Sequence, residues 1–164
     1  MNYLHELQIA LSAIDPSPLL DFARGCNGTL WVAGNGGSAS IAQHWACDLS
    51  KAAHRRVQAL GCNSAVLTAY ANDERYSAAL AAELERLARP DDAVIVLSCS
   101  GTSDNIVTLL RQAWLMKLPR AIVTGRRGVW PTPVTLSVHV PHEDYGVLED
   151  CFSAIGHWLT KELA

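Results

Sequence analysis

The stretch "VAGNGGSASIAQHWACDL", residues 32–49, holds the end of an apolar strand, a glycine turn and a helix. Glycines at 34, 36 and 37 let the backbone adopt positive φ and approach a ligand closely. Ser38 suits the N-cap of a helix over 38–52, and the free N–H groups at such a helix start favour an anion. His44 and Asp48 stand four residues apart, so they share one helix face. No G-x-G-x-x-G fingerprint is present, and no Walker lysine follows the turn. The stretch thus reads as an anion-side turn leading into a helix that carries two groups able to move a proton or bind a metal.

Outward from this unit, short apolar runs alternate with helical patterns. The runs are 29–33, 57–60, 92–98, 120–125 and 135–140, and they are mostly continuous rather than alternating, as strands covered on both faces are. Helices are predicted over 38–52, over 74–88 ahead of Pro90, over 103–117 opening at Ser103, and over about 148–163. Alternating strands and helices imply an α/β fold with a five-stranded parallel sheet in three layers and right-handed crossovers. Ligands of such folds bind beyond the carboxyl ends of the strands, where the strand order reverses. The polar turns of this chain fall at those ends.

A second such turn is "SCSGTSDN", 98–105, after the strongest strand. Ser98, Ser100, Thr102 and Ser103 place four hydroxyls around Gly101. Together with backbone amides they surround a phosphate without any positive side chain. Glycines and serines also make ordinary tight turns, but two such turns at neighbouring strand ends favour a shared anion site.

Length and composition set the frame. The chain of 164 residues suits one domain, here 1–164 with an N-terminal helical segment over about 1–24. Apolar residues make up 49% and charged residues 18%, which argues against disorder. No apolar run approaches the ~20 residues of a membrane span, and the N-terminus does not read as a signal peptide. The net charge of −3 gives no electrostatic case for nucleic-acid binding. Five scattered cysteines without a C-x-x-C pair argue against a disulfide framework or a zinc finger, so a reducing cytoplasmic location is expected.

The motifs "AGNGGSASIAQHWACDL", "TAYANDERY", "VLSCSGTSDNI", "IVTG" and "VLEDCFSAIGH" occur in the order seen in sugar isomerase (SIS) domains. Over residues 30 to 160 the chain resembles their phosphoheptose isomerase branch. The resemblance implies a flavodoxin-like sheet, a phosphorylated sugar held by the serine-rich loop, and a homotetramer with active sites at subunit interfaces. On the positions of this chain, the phosphosugar-binding candidates are Asn35, Gly36, Gly37, Ser38, Ser98, Ser100, Thr102 and Ser103. Asn72 and Asp73 of "ANDERY" join them, although "ND" also suits a helix start.

Four positions that typically carry His, Glu, Gln and His in the resembled isomerases, some of which hold zinc, read His44, Asp48, Glu149 and His157 here. All four are N/O ligands suited to a divalent ion such as zinc. Asp48 is one methylene shorter than the glutamate of the family. Phe152 stands where a further histidine is usual and can neither move a proton nor bind a metal. Eight residues of helix rise about 12 Å, so Glu149 and His157 do not easily reach one ion from a single straight helix. The resemblance implies aldose–ketose isomerisation of sedoheptulose 7-phosphate, with Asp48 as base and His157 as acid in a metal-assisted site. Two alternatives stand beside it. One is a non-catalytic SIS tetramer binding a protein partner such as a replication initiator; the other is a sugar-phosphate sensor. The basic stretch "KAAHRR" (51–56) reads as a solvated loop.

Overall fold

A computed structural model describes residues 2–125 and 132–164. Its centre is a parallel sheet of five strands: β1 (Leu30–Ala33), β2 (Val57–Ala59), β3 (Ala93–Leu97), β4 (Arg120–Thr124) and β5 (Leu136–His139). The order is β2-β1-β3-β4-β5. From β1 the chain moves outward to β2, then returns past β1 to lay down β3, so the order reverses between β1 and β3. The turns at 34–38 and 98–103 leave the carboxyl ends of those two strands, where Ala33 is in register with Val96. This is the crevice in which open α/β sheets bind ligands.

Two helices, α1 (Tyr3–Ser12) and α2 (Ser17–Arg24), precede the sheet. They are followed along the chain by α3 (Gly36–Lys51), α4 (Ser64–Asp73), α5 (Tyr76–Leu87), α6 (Asp104–Leu115) and α7 (Tyr145–Leu163). Alternate residues of β3 face opposite layers. Ile95 and Leu97 pack with Trp45, Leu49, Phe152 and Leu159 of α3 and α7. Val94 and Val96 pack with Leu80 and Leu84 of α5 and Ile106 and Leu109 of α6. Every residue of β3 is buried, which explains its continuous apolar run.

The starts of α3 and α7 and the whole of α4 differ from the sequence reading. Helix α3 starts at Gly36, and its N-cap is Asn35 rather than Ser38, which is buried inside the first turn. The turn is made at Gly36, whose φ of +53° lies where glycine is favoured. Helix α7 starts at Tyr145, capped by the Asp144 side chain on Val147 N–H, so Glu149 lies inside it. Helix α4 is absent from the sequence reading; none of its residues is fully buried, and its apolar stripe of Val66, Leu67, Tyr70 and Ala71 is only part-buried.

Candidate active site

Between the two turns lies a cavity of about 340 Å³ lined by Asn35, Gly36, Gly37, Ser38, Ser98, Ser100 and Ser103, with Cys99, Tyr145 and Glu149 completing the wall. The serine loop is held by its own side chains. Ser98 Oγ accepts from Gly101 N–H at 3.0 Å, and Ser100 Oγ accepts from Thr102 N–H at 3.3 Å. Each hydroxyl keeps its own hydrogen to donate. Gly101 turns the chain with φ +66°. Among the described residues, no lysine or arginine lines this cavity. The cavity offers an anion N–H and O–H dipoles and the start of α3.

An amide pair joins the turns. Asn105 Nδ2 donates to Asn35 Oδ1 at 2.7 Å, and Asn35 Nδ2 donates to Asn105 Oδ1 at 2.9 Å. The Tyr76 hydroxyl donates to Asn35 Oδ1 at 3.0 Å. Sequence reasoning missed Asn105, Tyr76, Tyr145 and Cys99. For Asn105 a signal existed: it is a polar residue on the face of α6 that otherwise buries Ile106, Leu109, Leu110 and Ala113. Cys99 sits 3.9 Å from Ser38 Oγ, and burial pushes its thiol above the usual range.

The second group stands further along α3. His44 Nε2 is 2.9 Å from His157 Nε2 and 3.4 Å from Asp48 Oδ2, and His157 Nε2 is 3.9 Å from the same oxygen. Three donors around one tetrahedral zinc at 2.0–2.1 Å lie about 3.3 Å apart. The three separations straddle that value, and two imidazoles with one carboxylate form a donor set that zinc accepts. The residues therefore fit the metal, with a fourth position left for a ligand. Both imidazoles are about half exposed, at 49% and 53%, and Asp48 is 29% exposed.

Helices α3 and α7 run side by side and parallel. Ser38 meets Glu149, Trp45 Nε1 donates to Phe152 C=O at 3.0 Å, and His44 meets His157. Of the four sequence-stated metal candidates, this brings His44, Asp48 and His157 together. Glu149 stands two turns earlier, against Gly37, with Ser38 Oγ donating to its Oε1 at 3.3 Å. It belongs to the cavity wall and not to the converging group. Thr102 faces a neighbouring cavity that contains Arg75. Asn72 and Asp73, at the end of α4, are exposed, hydrogen-bond each other at 2.9 Å and do not reach the cavity within one chain. Phe152 is fully buried in the core beneath α3. The departure from histidine is thus filled by packing, away from the three converging atoms.

With this geometry in place, comparison with known proteins is informative. No family model matches the chain. It is 33% identical over 148 residues to the phosphoheptose isomerase of Akkermansia muciniphila, covering 82% of this chain and 78% of that one. The chain belongs to the phosphoheptose isomerase family. The enzyme of Maridesulfovibrio salexigens is 29% identical over 92% of this chain and 76% of its own. A probable phosphoheptose isomerase of Thermoplasma volcanium is 38% identical over 62% of this chain, which spans 54% of that relative. The fold is that of the phosphoheptose isomerase from Neisseria gonorrhoeae, with a TM-score of 0.87 at 23% identity over 99% of this chain and 93% of that one. These relatives favour an isomerase over the partner-binding and sensor alternatives. Among the described residues, no helix is long and apolar enough to cross a membrane.

Proposed function

We propose that this protein interconverts sedoheptulose 7-phosphate and a D-glycero-heptose 7-phosphate. The observation that carries the reading is that the anion cavity and the His44–Asp48–His157 group stand on the same pair of parallel helices. Ser38, Ser98, Ser100 and Ser103 with the backbone of 35–37 hold the phosphate, which fixes the far end of the sugar at the histidines.

The isomerisation moves a proton between C1 and C2. Asp48 takes the C1 proton of the ketose. Its Oδ2 faces the imidazoles, so its second oxygen remains for this task. Two Nε2 atoms at 2.9 Å require a proton between them, and His157 delivers a proton to the C2 carbonyl oxygen as the enediol forms. Returning the proton to C2 and removing that on O1 gives the aldose. His44, Asp48 and His157 are the residues that would hold a zinc ion, which would displace the proton shared by the two Nε2 atoms and supply in its place the charge that polarises the carbonyl oxygen and stabilises the enediolate.

A homotetramer with interface sites accords with the half-exposed histidines and with α4, none of whose residues is buried. In it, Asn72 and Asp73 of one chain would face the cavity of a neighbour and bind sugar hydroxyls. A reducing cytoplasm suits its free cysteines. The test is sedoheptulose 7-phosphate turnover with zinc content, before and after chelation. Stoichiometric zinc with chelator-sensitive turnover supports the reading; absent turnover in folded, zinc-loaded protein defeats it.

A further inference from the structure

We propose that Asn105 is a positioning residue of the phosphate cradle, setting the amide of Asn35 and tying the turn after β1 to the turn after β3. This rests on the phosphosugar reading above. Asn105 is only 3% exposed and sits among the apolar residues of α6, where an unpaired amide is costly. Asn105 does not line the cavity, whereas Asn35 does. Asn105 therefore acts through Asn35.

The bonding is two-point. Asn105 gives Nδ2–H to Asn35 Oδ1 and receives Nδ2–H from Asn35, at 2.7 and 2.9 Å. Turning over either amide alone sets donor against donor and acceptor against acceptor. The Tyr76 hydroxyl, arriving from α5, takes the second lone pair of Asn35 Oδ1. Asn35 Oδ1 is then fully used, and one of its two Nδ2 hydrogens stays available to a ligand in the cavity. Asn35 also caps α3 with extended backbone, φ −120° and ψ 152°, immediately before Gly36 turns the chain. The described lining offers an anion N–H and O–H groups rather than a lysine or arginine, so affinity depends on the aim of those groups, and aim is what this pair supplies.

The test is titration with inorganic phosphate, alongside turnover and melting temperature. It uses the parent protein, Asn105→Ala, Asn35→Ala, the double variant and Tyr76→Phe. Asn105→Ala is expected to weaken phosphate binding about tenfold and raise KM in parallel, with kcat changed less than about threefold. The double variant is expected to bind no more weakly than Asn35→Ala, because the two residues act as one unit. Tyr76→Phe leaves the buried pair intact on a half-exposed residue, so folding is safe. It is expected to weaken binding about twofold to threefold. Unchanged phosphate affinity in Asn105→Ala and Tyr76→Phe, even with a lower melting temperature, overturns the proposal. So do additive losses in the double variant. A parent protein that binds no phosphate defeats the phosphosugar reading and this proposal together.

Discussion

Ser38 Oγ and Glu149 Oε1 lie 3.3 Å apart, and the Glu149 carboxyl rests against Gly37. A carboxylate thus stands in the wall of a cavity read as a phosphate site. Two like charges a few ångströms apart repel, although partial exposure and salt weaken the effect. Glu149→Gln is expected to bind inorganic phosphate about three- to tenfold more tightly near neutral pH, by calorimetric titration. Weaker binding would show that the carboxylate works by accepting hydrogen bonds from the ligand.

Glu149 also separates two models of the metal site. His44→Ala and His157→Ala each remove one of three converging donors and should lower zinc affinity by at least about a hundredfold. Glu149→Gln should leave zinc content unchanged. Elemental analysis of the dialysed proteins reads both outcomes.

Phe152 is fully buried, and its carbonyl accepts the Trp45 indole N–H. Introducing the family's usual histidine puts a polar ring into apolar packing. Phe152→His should cost about 2–4 kcal/mol of stability, seen as a lower midpoint in urea, and should not raise turnover. A gain in kcat would show that a histidine here reaches the reacting sugar.

Tyr3 reports on the docking of α1. Its hydroxyl donates to Asp150 Oδ2 at 2.7 Å, and that hydrogen bond, with burial and the nearby carboxylates, pushes the phenol up to about 12. The raised value means that the native state holds the neutral phenol better than the unfolded chain does. The stabilisation is complete below pH about 10 and is lost as pH rises towards 12. The melting temperature of the parent should exceed that of Tyr3→Phe by a small margin at pH 8, and the margin should vanish by pH 12. A margin that persists at pH 12 would mean that packing, not the hydrogen bond, sets it.

The sheet was legible in the sequence because buried parallel strands are continuous apolar runs, and all five runs correspond to strands. Both turns that line the cavity were legible for a local reason, since glycine and hydroxyl residues cluster between a strand end and a helix start. His44 and Asp48 were legible as i, i+4 neighbours, but their meeting with His157 is a tertiary fact set by the register of α3 against α7. Helix α4 has only a short, part-buried apolar stripe of Val66, Leu67, Tyr70 and Ala71, and the sequence reading passed over it. Asn105 left a local trace, an amide on the apolar face of α6, but the partner that gives it a role lies seventy residues away and is a tertiary fact.

The parallel alignment of α3 and α7 makes the pair a ruler. Ser38 and Glu149 mark one end, and His44, Asp48 and His157 mark the other. The eight residues from Glu149 to His157 span about 12 Å. An extended seven-carbon chain with its phosphate ester measures about 10 Å from phosphorus to the C1–C2 bond. On the phosphosugar reading, a five-carbon sugar phosphate is shorter by about two carbon–carbon bonds and is expected to engage the two ends less well at once. On that reading, the length of the guest is tested before any of its hydroxyls.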